Sequence, residues 1–196
     1  MSAIQSQDFS VRGYMFLTSV EYLQQTLGEQ DSKKVISGFS PHARELIGTL
    51  KTAGWCPVSV FSEVTDALVA AGAGSDERSK DLLVKCGTHM ALEATNTFLR
   101  LFMKMMSMQL LVKKVPDLWK RDCTGGKLVV EDLSENSLRF STSGMGGFRH
   151  AVCTAAGFVS FAVGAVGKQV EKVTIQGWSR EKPSEDGATF ELTWRG

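Results

Sequence analysis

Residues 151–166, AVCTAAGFVSFAVGAV, contain no charged residue, and this stretch decides how we interpret the fold. A helix of this length reaches roughly 24 Å, which is short of the ~30 Å hydrocarbon core of a membrane. The stretch is rich in Ala, Gly and Ser rather than Leu and Ile. We therefore predict no transmembrane segment, but a helix over about 148–166 that is buried and lets a neighbouring element approach closely.

Around this stretch the apolar residues recur with a period of two. The alternating segments are Lys127–Leu133, 138–142, 172–178 and 188–194. Such alternation is typical of strands with one buried face. The N-terminal half instead has helical spacing of its apolar residues. The sequence predicts an α+β fold, with N-terminal helices plus an antiparallel sheet of about four strands, crossed by the buried small-residue helix.

The chain has 196 residues, of which 43% are hydrophobic and 22% charged. These values are typical of a globular domain, and we predict a flexible tail over 1–10 and a single domain over 11–196. The formal net charge of +1 provides no basic surface for nucleic acid. The N-terminus lacks the basic and apolar regions of a secretory signal, which favours a cytoplasmic location.

Cysteines and histidines give weak signals for chemistry. No two of the four cysteines have Cys-x-x-Cys spacing, so we expect buried thiols and no metal. Cys86 and His89 share a helix face, which alone is weak evidence for a metal site. His42 is expected to be exposed. His150, next to Arg149, could bind an anion at a helix start, although we favour simple exposure there.

Catalytic signatures are missing from the sequence, including a phosphate-binding loop, His-Glu-x-x-His and Gly-x-Ser-x-Gly. We therefore expect a protein that is not an enzyme and has no cofactor. The apolar segment 91–111 is predicted to be a methionine-rich helix that fills the core, forms a subunit interface or lines a ligand cavity. The candidates for a ligand pocket or interface are Phe98, Phe102, Met105, Met106, Met108, Phe158 and Phe161.

Several short motifs, in this order along the chain, carry a resemblance to known proteins. They are 12–16 (RGYMF), 54–57 (GWCP), 118–119, 125–126, 153–159 (CTAAGFV), Gly164, 170–178 and 187–194. The chain resembles a paralogous family of myxobacteria and, through it, the 4-vinyl reductase superfamily, which includes haem–nitric oxide binding domains and TRAPP subunits. The resemblance implies helices followed by an antiparallel sheet.

The haem-binding branch of this superfamily implies a proximal His on the helix before the first strand of the sheet, and a Tyr-x-Ser-x-Arg motif. Residues 105–109 read MMSMQ, and 138–144 read LRFSTSG, so neither feature is matched. Both departures argue against haem, although Met is a residue type that can ligate its iron.

The TRAPP branch implies a dimer, and some members hold an acyl chain, which makes Cys56 and Cys86 candidates for acylation. Our leading prediction is a non-catalytic cytoplasmic adaptor or regulatory module that forms a homodimer and binds a protein partner. The alternative is a sensor of a hydrophobic or lipid-like small molecule. A haem-binding gas sensor ranks below both.

Overall fold

The computed structural model describes residues 9–95, 103–183 and 187–195. The helices in these residues are α1 Gly13–Ser37, α2 Pro41–Thr49, α3 Val58–Ala71, α4 Asp76–Ala94, α5 Met108–Asp122 and α6 Ala151–Ala165. The strands are β1 Ser10–Arg12, β2 Trp55–Pro57, β3 Lys127–Leu133, β4 Ser137–Ser143, β5 Gln169–Gln176 and β6 Thr189–Arg195.

The main sheet has the strand order β3-β4-β6-β5, and every neighbouring pair is antiparallel. Phe140 and Phe190 lie opposite each other on β4 and β6, with ring centroids 5.1 Å apart. Both side chains are fully buried, because alternate residues of β4 and β6 face the core. The α+β prediction with an antiparallel sheet of four strands is therefore confirmed.

Helix α6 is buried as predicted, and its closest neighbour is α4. A β-carbon added at Gly157 would lie 2.8 Å from the Val84 carbonyl carbon and 2.9 Å from Thr88 N, both on α4. A β-carbon added at Gly87 of α4 would likewise collide with the backbone of Thr154 on α6. The two glycines let the helix backbones touch, and this contact joins the N-terminal helices to the C-terminal half.

The predicted continuous methionine-rich helix over 91–111 is wrong, because the described residues at Thr95 and at 105–107 are not helical. Helix α4 ends at Ala94, and α5 begins after Ser107, whose Oγ accepts a hydrogen bond from Leu110 N at 3.2 Å. A serine N-cap of this kind starts a new helix. Helix α5 contains Pro116 and continues beyond it to Asp122.

The N-terminal boundary also differs from the predicted tail over 1–10. Phe9 is buried, and Ser10 begins β1, which pairs with β2 through Ser10 and Pro57. None of the helices in the described part of the chain combines the length and hydropathy needed to span a bilayer. The predicted cytoplasmic location and lack of nucleic-acid binding stay predictions.

Candidate functional site

A small cavity lies between the helices and the first strand of the main sheet; we call it the interlayer cavity. Its volume is about 40 Å³. It lies among α1, α4, α5, α6 and β3. The residues that line it are Tyr14, Met15, Met90, Val115, Leu118, Trp119, Asp122, Cys123, Leu128, Thr154, Ala155, Phe158, Val159 and Ala162. Most of these side chains are apolar, so the cavity is a hydrophobic site at the junction of the two halves.

The polar groups of the cavity wall form a network of their own. Tyr14 Oη donates to Asp122 Oδ2 at 2.9 Å, and Arg121 donates to the same carboxylate through Nε at 2.9 Å and Nη2 at 2.6 Å. Burial, with the nearby charge of Asp122 as the next cause, raises the pKa of the Tyr14 phenol. Tyr14 therefore stays a neutral donor, and Asp122 is a buried carboxylate with its partners supplied by the protein.

Trp119 takes up much of the space between α5 and the rest of the core. Its Nε1 donates to Gly125 O at 3.1 Å, and its ring is stacked on Phe148 with centroids 6.4 Å apart. On the other side, Phe158 of α6 reaches the cavity. Side chains of this size leave room for only a few atoms.

Only part of the predicted pocket coincides with this cavity. Phe158 lines it, whereas Phe161 is half-buried elsewhere and Met105 is 86% exposed. Met106 and Met108 are half-buried and do not belong to the described cavity wall. Phe98 and Phe102 lie outside the described residues.

Sequence reasoning missed the centre of the site. Tyr14 lies far along the chain from Trp119 and Cys123, and the other wall residues belong to ordinary helix and strand patterns. The RGYMF motif and the 118–119 motif, which contain Tyr14 and Trp119, were the only signals.

The two cysteines considered for acylation are both fully buried. Burial raises the pKa of the Cys56 thiol to about 12, and that of Cys86 to about 12 as well. A protonated, buried thiol is a poor nucleophile. Acylation of Cys56 or Cys86 stays a prediction that would require the core to open.

A separate cluster of charged groups surrounds a cleft of about 320 Å³ on the surface. Asp66 pairs with Arg149, and its Oδ1 lies 2.7 Å from His150 Nε2. Trp178 Nε1 lies 3.1 Å from His150 Nδ1. Because an indole N–H only donates, Nδ1 is the acceptor and Nε2 carries the proton given to Asp66.

The exposure predicted for His150 is wrong, since only 2% of this residue is exposed. Both imidazole nitrogens already have protein partners, so His150 is not free to hold an anion or to act as a base. Among the described residues no cluster of metal-ligand type is present. Cys86 Sγ donates to Ser19 Oγ at 3.3 Å, and His89 Nε2 instead lies 3.8 Å from a Glu21 carboxylate oxygen.

Comparison with solved structures shows which fold this is. The chain is similar to an Fe(II) unliganded H-NOX protein from K. algicida, with a TM-score of 0.68 at 15% identity over 94% of this chain and 97% of that one. It is also similar to an H-NOX protein from S. oneidensis (TM-score 0.57, 11% identity, 94% and 96% covered). An oxygen-binding H-NOX domain related to soluble guanylate cyclases gives 0.56 at 6% identity, with 94% and 95% covered.

No protein-family model and no curated protein sequence matches the chain. At sequence identities of 15% and below, the structural similarity shows the fold alone. It overturns the predicted resemblance to TRAPP subunits, to 4-vinyl reductases and to a myxobacterial family, because the similar structures are H-NOX domains.

The same finding corrects the functional ranking. A TRAPP-like homodimeric adaptor was predicted first and a haem-binding gas sensor last, whereas the fold is that of H-NOX domains. The alternative, a sensor of a hydrophobic or lipid-like small molecule, is also wrong. Of the described candidates only Phe158 lines the interlayer cavity, and its volume of about 40 Å³ is far below the ~300–1,000 Å³ of ordinary ligand pockets.

Haem is the group that this fold implies, and the described residues do not fit it. The interlayer cavity is too small for a porphyrin, and α5, the helix before the first sheet strand, contains no histidine. No histidine belongs to the described wall of the cavity. Cys123, which lines the cavity, is only 4% exposed, and burial raises the pKa of its thiol.

Proposed function

We propose that this chain is a non-catalytic sensory domain of the H-NOX architecture that works without haem. The sensory part of the proposal comes from the H-NOX neighbours, one of which is described as oxygen-binding and related to soluble guanylate cyclases. Because a fold does not determine function, the haem-independent and non-catalytic parts of the proposal are based on the side chains of the site.

The observation that carries the haem-independent part is the small volume of the interlayer cavity. Trp119 and Phe158 fill the junction where α5 and α6 face each other, and about 40 Å³ remains. Admitting a porphyrin would require these side chains and the Tyr14–Asp122 hydrogen bond to move apart. Such a rearrangement would break the hydrogen bond from Tyr14 to the buried Asp122 carboxylate, which is costly.

The non-catalytic part rests on the Asp66 cluster, the most enzyme-like group of side chains in the described chain. His150 is bonded on both nitrogens, and Asp66 is occupied by Arg149 and His150. No described nucleophile lies within hydrogen-bond reach of an available base there.

A hemin titration of the purified protein, followed by absorption spectroscopy, tests this proposal. The K. algicida H-NOX protein, prepared in the same way, serves as the haem-binding control. We expect no sharp Soret band and no saturation at one hemin per chain. A purified protein that carries a Soret band, or that saturates at one equivalent, would refute the haem-independent proposal.

A second candidate, a haem-binding gas sensor, is favoured by one observation besides the fold. Met15 and Met90 both line the interlayer cavity, and a methionine thioether is a known ligand of haem iron. If the titration does produce a Soret band, Met15→Leu and Met90→Leu would identify the ligand. A band that neither substitution shifts would exclude ligation by these two residues.

A further inference from the structure

We propose that the outer side of α5 binds reversibly to the surface of a membrane that contains anionic lipids. We call this side the basic face. It consists of exposed residues of α5: Gln109, Leu110, Lys113, Lys114, Asp117, Lys120 and Arg121. The inference goes beyond the proposed sensory function and does not depend on whether the chain binds haem. Three observations support it: the position of the charges, the exposed apolar side chains beside them and the shape of the surface.

The burial pattern of α5 divides the helix into two sides. At ~100° per residue, the residues of the basic face fall within an arc of ~140°. Leu111, Val112 and Val115 are buried and fall on the opposite side of the helix. The basic residues of α5 therefore lie together on the side that faces solvent, while the apolar side of the same helix packs against the core.

The basic face is far more positive than the protein as a whole. Residues 104–121 contain five basic residues and one acidic residue, whereas the formal net charge of the whole chain is +1. Lys114 Nζ lies 3.8 Å from the acidic side chain, Asp117, and Arg121 is paired with Asp122. Lys113 and Lys120 form no ion pair with another described residue. Their charges are therefore available to an anionic surface.

Exposed apolar side chains border the basic face at both ends. Met105, just before α5, is 86% exposed, and Leu110 in the first turn is 42% exposed. At the other end, Arg12 donates to Arg121 O at 3.1 Å, and its guanidinium lies 3.9 Å from the centroid of the Trp55 ring. Trp55 is 40% exposed. Lysines interspersed with apolar and indole side chains are typical of protein surfaces that lie in the headgroup layer of a membrane.

The shape of the surface favours a membrane over an acidic peptide. None of the residues of the basic face lines the interlayer cavity or the surface cleft at Asp66. A partner helix usually binds in an apolar groove. The outer side of a helix instead suits a deformable layer of headgroups, whose negative charge complements the lysines.

Co-sedimentation of the full chain with lipid vesicles tests the proposal. Vesicles of equal parts phosphatidylglycerol and phosphatidylcholine are compared at low salt with vesicles of phosphatidylcholine alone. Because each lysine at an anionic surface contributes about five-fold in affinity, we expect at least ten-fold tighter binding to the anionic vesicles. Most of this preference should be lost at about 1 M salt, where the Debye length is ~3 Å.

Paired lysine variants localise the binding. Lys113→Gln combined with Lys120→Gln should weaken binding to the anionic vesicles by about 25-fold, since two lysines are removed. Lys33→Gln combined with Lys34→Gln removes the same charge from exposed positions on α1 and should leave the affinity unchanged. Thermal unfolding followed by circular dichroism confirms that both variants are folded.

A second readout reports whether the apolar border contacts lipid. With a spin-labelled lipid in the anionic vesicles, the NMR signal of the 13C-labelled Met105 methyl group should broaden. Met145, which is fully buried, is the internal control and should not.

Equal binding to both kinds of vesicle would overturn the proposal, as would an equal loss of affinity in the two lysine variants. A Met105 signal that does not broaden would also overturn it. Binding to polyglutamate or to duplex DNA as tightly as to the anionic vesicles would make an acidic polypeptide or nucleic acid the occupant instead.

Discussion

Substituting Gly157 by alanine should destabilise the protein, although alanine is the better helix former. A β-carbon at this position would lie 2.8 Å from the Val84 carbonyl carbon, and closer still to its oxygen. Ordinary contact begins at 3.4 Å, so α4 and α6 would have to separate by about 0.6 Å or more. Both sides of the contact are helix backbone, which cannot move as a single side chain can.

The expected magnitude follows from two opposing effects. Overpacking a well-packed core costs about 1–3 kcal/mol, and we expect the upper part of this range here because backbone atoms collide. Because alanine has a higher helix propensity than glycine, the substitution also stabilises the helix by about 1 kcal/mol. The free energy of unfolding should therefore fall by about 2 kcal/mol, and the midpoint of thermal unfolding by roughly 4–8 °C.

Gly164→Ala is the matched control on the same helix. A β-carbon at Gly164 would meet nothing within 4 Å, so only the propensity gain remains. We expect this variant to be more stable by about 0.5–1 kcal/mol. Urea unfolding of both variants, followed by circular dichroism, measures the difference. If Gly157→Ala proves as stable as Gly164→Ala, the close contact between α4 and α6 is wrong.

Two further predictions concern buried groups. Tyr14→Phe removes one of three hydrogen bonds to the Asp122 carboxylate and should lower the free energy of unfolding by about 1–2 kcal/mol in urea titrations; an unchanged midpoint would contradict this. The folded pKa of Cys56 and of Cys86 is raised to about 12 from 9.0, so the unfolded chain loses these protons first and stability should decrease as pH rises from about 9 towards 12. Cys56→Ala should make the free energy of unfolding fall less steeply with pH, by up to ~1.4 kcal/mol per pH unit, in urea titrations at pH 8 to 11. If the variant and the unsubstituted chain show the same pH dependence, the raised pKa of Cys56 is wrong.

The sheet and its crossing helix were predictable because their signals are local. Alternation along β3, β4, β5 and β6 indicates one buried face per strand. A charge-free run of small residues indicates a helix that is mostly buried. The register of β4 against β6, which brings Phe140 opposite Phe190, depends on tertiary packing and could not be read from either strand alone.

The errors also have physical causes. Segment 91–111 keeps a helical apolar pattern, but Ser107 caps a new helix and outweighs that pattern. Proline usually ends or kinks a helix, yet α5 continues through Pro116 to Asp122. The interlayer cavity combines residues from five elements, and no spacing in the sequence indicates that Tyr14, Trp119 and Phe158 meet.

Native mass spectrometry of the purified chain, before and after incubation with excess hemin, tests the central claim most directly. The claim is that this chain adopts the H-NOX fold while its own side chains fill the place where the cofactor would be held. We expect the mass of the bare polypeptide of 21.4 kDa in both spectra. A dominant species that retains one haem per chain under gentle ionisation would contradict the account.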